Sequence, residues 1–170
     1  MIIKGIKYDR YPDMPREWRI VGKDDDKNED YAYFGNLNLL IGKNATGKSR
    51  TIRAIRDLSD LICGRLLIKD VVYHTQRFDF LFEDEGQEYR YVLHFKEKEV
   101  LEEALYIDNT VVLDRNQGFI ISLGEKKDFS NKLDKDELLI CKKKGSSDFY
   151  FQNLVVWAIS LRSFMFSDQF

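Results

Sequence analysis

The eight residues GKNATGKS, Gly42 to Ser49, join two stretches of different hydrophobic period, and this junction constrains the fold more than any other part of the chain. Ahead of it, Leu37, Leu39, Leu40 and Ile41 form a compact apolar run that predicts a buried strand. Behind it, Ile52, Ile55, Leu58, Leu61 and Ile62 recur on one face of a helix, and Gly64 supplies a stop. The sequence therefore predicts strand, loop, helix, with two glycines in the loop where backbone torsions closed to other residues are needed.

The loop fits G-x-x-x-x-G-K-[ST] at every fixed position. In this setting the amides of Asn44, Ala45 and Thr46 are expected to point inward and cradle a phosphate. The helix N-terminus beyond Gly47 adds the positive end of its dipole. In this reading Lys48 reaches the β- and γ-phosphates as a point charge, and Ser49 gives a hydroxyl oxygen to Mg²⁺. ATP and Mg²⁺ are the expected cofactors, with Gly42, Lys43, Asn44, Ala45, Thr46, Gly47, Lys48, Ser49 and Arg50 as the binding segment.

Elsewhere the period is two. Phe78, Phe80 and Phe82 alternate, as do Tyr89, Tyr91, Leu93 and Phe95, and EDEGQE between them supplies a turn, so this piece predicts a hairpin. An antiparallel region is expected from about 71 to 122, with opening strands at MIIKGIKYD and EWRIVG and a polar hairpin tip at KDDDKNED. A short helix is expected around Asp134 to Cys141, and a C-terminal helical segment at about 148–163.

The stretch FGNLNLLIGKNATGKSRTIRAI, Phe34 to Ile55, resembles the ABC-type ATPases of the SMC, RecF and OLD-like group, often called AAA family ATPases. Asn44 matches the asparagine usual in that group, whereas Arg50 stands where the group often has Asn. The resemblance implies an α/β fold: a P-loop NTPase lobe of ABC/SMC type, with a mixed sheet around the phosphate loop, an antiparallel β-sheet subdomain and a few helices. Residues 1–170 would then be one domain, the N-terminal lobe of a longer ATPase, and the apolar ending RSFMFSDQF fits a chain that continues. It also implies ATP held between two such units, either a homodimer or a complementary ATPase lobe.

Hydrolysis in that group needs a signature helix and an apolar run ending in Asp-Glu, and neither occurs in this sequence. Asp114 in TVVLDR is the nearest acidic candidate, and a surface aspartate at a strand end is the simpler reading. The catalytic carboxylate is thus unknown, and the chain alone is expected to bind Mg-ATP with little turnover. Gln152 suits the role of the glutamine that touches Mg²⁺, with Gln76 and Gln117 as rivals. A self-contained small P-loop kinase using Asp114 and a non-catalytic ATP-binding scaffold are the alternatives.

Tyr8, Tyr11, Trp18 and Tyr33 lie where the resemblance implies strands near the adenine, although core packing explains each. His74 and His94 have no ligand-like neighbours in sequence, and structural or solvent-facing roles are expected. Lys126, Lys127, Lys142, Lys143 and Lys144 form a basic stretch read first as a solvated face. A net charge of −2 offers nucleic acid no general attraction, so such a partner would need a local patch. Cys63 and Cys141 read as ordinary thiols, with a disulfide or redox role as the minority alternative. No apolar run approaches the length of a membrane span, the start of the chain does not read as a signal peptide, and a cytoplasmic protein is expected.

Overall fold

The computed structural model describes residues 1–15, 17–24, 28–38, 47–129 and 133–163. Among them the main element is a nine-stranded sheet. Its path runs from β11 (Glu125–Asp128) through β10 (Phe119–Ser122), β9 (Thr110–Asp114), β8 (Glu99–Ile107), β7 (Gln87–Lys96) and β6 (Thr75–Asp84) to β1 (Ile2–Arg10). The far edge of β1 is shared: β2 (Trp18–Ile20) pairs with Tyr8 to Arg10, and β5 (Ala32–Tyr33) pairs with Gly5 and Ile6. β3 (Gly22–Lys23) and β4 (Glu29–Asp30) form a separate two-stranded ribbon.

Every ladder among the described residues is antiparallel, which overturns the expected α/β lobe with a mixed sheet. The cause is local turn chemistry. Glu85–Gly86, Glu97–Lys98, Asp108–Asn109 and Leu123–Gly124 are two-residue connections with positive φ at both positions, the geometry that matches right-handed strand twist. Such a connection can only return the chain beside the strand it left, whereas parallel neighbours need a long crossover. From β6 to β11 there is none. Among the described residues the α-helices are two, α1 (Lys48–Ile62) and α2 (Gln152–Ser160), far fewer than the layered α/β arrangement requires.

One face of the sheet builds the core. Tyr8 on β1, Phe78, Phe80 and Phe82 on β6, and Tyr91, Leu93 and Phe95 on β7 are buried side by side in register. α1 and α2 pack over them: Trp157 meets Phe82 edge-on at 4.7 Å, and Ser59 Oγ donates to the Ala158 carbonyl at 2.8 Å. Burying such rings contributes about 1.5–3 kcal/mol each, so this layer dominates the stability. Beyond β7, the buried Glu103 carboxylate accepts the amides of Leu139 and Ile140 at 2.6 and 2.8 Å and the Tyr91 hydroxyl at 3.0 Å. Burial pushes its pKa up in spite of these bonds.

Other expectations shift in detail. Residues 134–141 form a turn followed by a short 3-10 helix, Leu139–Cys141, in place of a longer helix. The Glu103 bonds hold that segment as a strap, capturing amides that a continuous helix would have needed for itself. β11 occupies a charged stretch that alternation does not mark, because Lys126 and Lys127 sit on a solvated sheet edge. α2 is shorter than its expected span, and Leu37 is 95% exposed where a buried strand was expected. Leu39, Leu40 and Ile41 lie outside the described residues. Among the described residues no helix is long and apolar enough to cross a membrane.

Candidate functional site

Helix α1 begins at Lys48 with Gly47 as its N-cap, and Gly47 adopts φ +99°. A side chain there would be strained, and a Cβ would lie 3.1 Å from the Trp18 ring. Among the described residues no side chain caps this end, and no acidic residue sits in the first turn. The leading amides of a helix have no intrahelical acceptors, so an uncapped start is a concentration of donors beside the positive end of the dipole. Ser49 and Arg50 are exposed here and Lys48 is half-buried. Of the expected binding segment, Gly47 is the N-cap and Lys48, Ser49 and Arg50 form the first turn of α1. Gly42, Lys43, Asn44, Ala45 and Thr46 lie outside the described residues.

Beneath this helix start the core face turns polar. Arg10, at the end of β1, is 6% exposed and its guanidinium stacks 3.6 Å from the Tyr73 ring centre. Trp18 stands 5.3 Å away and is shared with Arg50, whose guanidinium lies 5.8 Å from the same ring. Arg10 Nε donates to the Tyr8 hydroxyl at 3.2 Å, and that hydroxyl donates to Gln76 Oε1 at 2.6 Å. Burial pushes the Tyr8 phenol up to about 12, so it remains a donor throughout the neutral range. Arg10 Nη2 and Arg53 Nε are buried with no hydrogen-bond partner among the described residues.

Asp57, two turns along α1, is also buried, and it accepts a hydrogen bond from Arg56 Nη2 at 3.5 Å. Burial raises its pKa, which the nearby Arg56, Arg53 and Arg10 charges only partly oppose. A stacked guanidinium gains up to about 2 kcal/mol. An unmet donor costs about 1–3 kcal/mol. The nest is therefore close to neutral for folding, and its Arg10 guanidinium shares the Trp18 ring with Arg50 of the helix start.

The structure separates this place from other expected residues. Gln152 opens α2, whose next residue, Asn153, donates to Asp84 at 3.0 Å at the far end of β6. Gln76 lies on the Arg10 row, eight residues away along that strand, or about 26 Å at strand rise. Gln152 is thus not brought to Ser49, and of the three glutamines it is Gln76 that approaches the helix start. Gln117 donates its amide to Asp114 Oδ1 at 2.9 Å in the turn after β9. Asp114 is a strand-end turn residue five strands from β2, about 24 Å across the sheet.

The remaining candidates resolve into structural roles. Lys142 pairs with Glu137 at 2.7 Å, Lys127 with Glu125 at 3.0 Å and Lys126 with Asp128 at 3.8 Å, so most of the basic stretch is neutralised locally. His74 and His94 both line a cavity of about 550 Å³ under the Tyr11–Met14 loop. No group of metal-ligating side chains among the described residues can hold an ion. Arg10, Tyr73 and Arg53 are what sequence reading missed. One signal was available: Ile6, Tyr8 and Arg10 share the inward parity of β1, and a charge at an inward position of a strand needs a reason. Comparison with protein-family models, with curated proteins and with solved structures returned no match.

Proposed function

We propose that the chain binds a Mg-nucleoside triphosphate at Gly42–Ser49, with its phosphates at the start of α1. The observation that carries this reading is the helix start at Gly47, which has no side-chain cap among the described residues and is followed directly by Lys48 and Ser49, beside a nest in which Arg10 and Arg53 keep donors without a partner among those residues. Ser49 would hold Mg²⁺, whose preference for oxygen ligands a serine hydroxyl meets, and the ion would neutralise charge on the β- and γ-phosphate oxygens. Lys48 would bind and orient those oxygens, and Arg10 and Arg50, both against Trp18, would add positive potential from below and beside. Trp18 touches the helix start, so nucleotide binding reports on its fluorescence.

Turnover by this chain alone is expected to be slow, because hydrolysis requires a carboxylate that positions water and Asp114 is turned to another task. A second copy or a complementary ATPase lobe supplies it in this reading, in a cytoplasmic setting. The sheet architecture plays no part in the argument. The small-kinase alternative loses its acid with Asp114, and the non-catalytic scaffold differs only in lacking the completing partner. The test is a Mg-ATP titration followed by Trp18 emission in Trp157→Phe, with steady-state phosphate release measured on the same protein. Saturable quenching or enhancement with negligible release is expected. No spectral change and no heat of binding would remove the proposal, and vigorous release would remove the need for a partner.

A further inference from the structure

Cys63 and Cys141 are 78 positions apart in the sequence and meet at the C-terminal end of α1. Cys141 Sγ lies 3.6 Å from the Leu61 carbonyl oxygen and 3.5 Å from that of Ile62, while Cys63 Sγ lies 3.7 Å from the Asp60 carbonyl. Both thiols therefore sit over consecutive carbonyls of one helix end, where acceptors are left over. A carbonyl oxygen is about 2.8 Å from the next Cα in a trans peptide, which puts Cys141 Sγ within about 6.3 Å of Cys63 Cα. The Cys141 side chain adds about 2.8 Å, which bounds the Cα–Cα separation at about 9 Å; linked cysteines have Cα atoms about 4.4–6.8 Å apart, so side-chain rotation and a backbone shift of up to about 2–3 Å close the pair. Gly64, at φ +74°, follows the helix end, and a Cβ built on it would meet nothing within 4 Å. A cavity of about 320 Å³ lined by Leu61, Gly64, Leu67, Glu137, Leu138 and Cys141 opens onto the site, and Cys63 is only half-buried.

We infer that Cys63 and Cys141 form a reversible redox pair that a small-molecule disulfide such as oxidised glutathione converts to an intramolecular disulfide. The Cys63 thiolate attacks one glutathione sulfur, breaking the glutathione S–S bond and releasing one glutathione thiolate. The Cys141 thiolate then attacks the Cys63 sulfur, forming the Cys63–Cys141 bond and releasing the second glutathione thiolate. The two thiol protons pass through solvent to those leaving groups, and two electrons pass from the protein to glutathione. Burial pushes the Cys141 thiol up to about 12, which assigns the first attack to Cys63 and makes the second step slow and faster at alkaline pH. The bond staples the end of α1 to the Leu139–Cys141 turn, itself fixed to β8 by Glu103. This inference stands apart from the nucleotide reading.

The test incubates the native 170-residue chain with oxidised and reduced glutathione at defined ratios, then traps free thiols by alkylation and reads the intact mass. The expected product is a monomer about 2 Da lighter with no alkylated thiol, and with a higher Tm than the reduced form. Cys141→Ser should stop at a single glutathione adduct, and Cys63→Ser should react far more slowly. Circular dichroism of each variant checks that it is folded. Two alkylated thiols, separate glutathione adducts on both cysteines, or a disulfide that forms only in denaturant would each overturn the inference.

Discussion

The two ends of the core face of the sheet are built from different materials. At the end under α2, Phe80, Phe82 and Trp157 pack ring against ring inside the buried apolar cluster. At the end under the start of α1, the same strands present Arg10, Gln76 and the Tyr8 hydroxyl, and Arg10 and Arg53 each keep a donor without a partner among the described residues. One end is optimised for folding and the other is not. Donors without a partner among the described residues, gathered beside a helix start, support the binding role proposed for that end.

The largest expected effect lies at the apolar end. Phe82→Ala should lower unfolding free energy by about 3–5 kcal/mol, as large-to-small changes in packed aromatic cores do. Chemical denaturation reads this directly, and a loss below 1 kcal/mol would mean that the two ends do not differ as described. At the polar end the signature inverts. Gly47→Ala should cost about 1–3 kcal/mol of stability through its left-handed torsion and the Trp18 contact, and should impair nucleotide binding more severely. Arg10→Met should change stability by less than about 1 kcal/mol, since lost stacking offsets a removed unmet donor. The same variant should weaken Mg-ATP several-fold. A variant that binds normally would reduce Arg10 to a packing residue.

The smallest effect sharpens the contrast from the opposite face of the sheet. There Arg77, His94 and Glu102 lie in one cross-strand row, and His94 Nε2 is buried without a partner among the described residues. Burial, reinforced by Arg77, lowers the His94 pKa. The unfolded chain therefore binds the proton more readily, and stability that is full above about pH 6.5 falls as pH drops through the window below it. Glu103 and Asp57, both raised by burial, act with the opposite sign: they erode stability as pH rises from the ordinary carboxylate range. His94→Gln should flatten the slope of stability between pH 6.5 and 5.5 by less than about 1 kcal/mol. An unchanged slope would assign that dependence elsewhere.

The sequence made the hairpins legible because alternation and turn chemistry agree at Phe78 to Phe95, where Glu85 and Gly86 take the torsions that the pattern demands. Helix α1 was legible from its stripe, although its buried face includes Ala54, Asp57 and Ser59, and Ile52 is 40% exposed. The architecture was misread because a phosphate-loop motif is specific to a loop and a helix, and it does not dictate how distant strands pair. Glu103 and the strap it holds were invisible, since two amides 36 and 37 positions away meet one carboxylate only in three dimensions. The Arg10 nest was hidden for the same reason: Tyr73, Trp18 and Arg53 come to it from separate elements.

The central claim is that the uncapped start of α1 receives phosphates. Isothermal titration calorimetry of Mg-ATP into the folded chain and into Lys48→Ala tests it most directly. The account predicts a single saturable site in the native chain and at least a tenfold weaker one in the variant, a difference of about 1.4 kcal/mol or more. Equal affinities in the two proteins, or no heat in either, would contradict it.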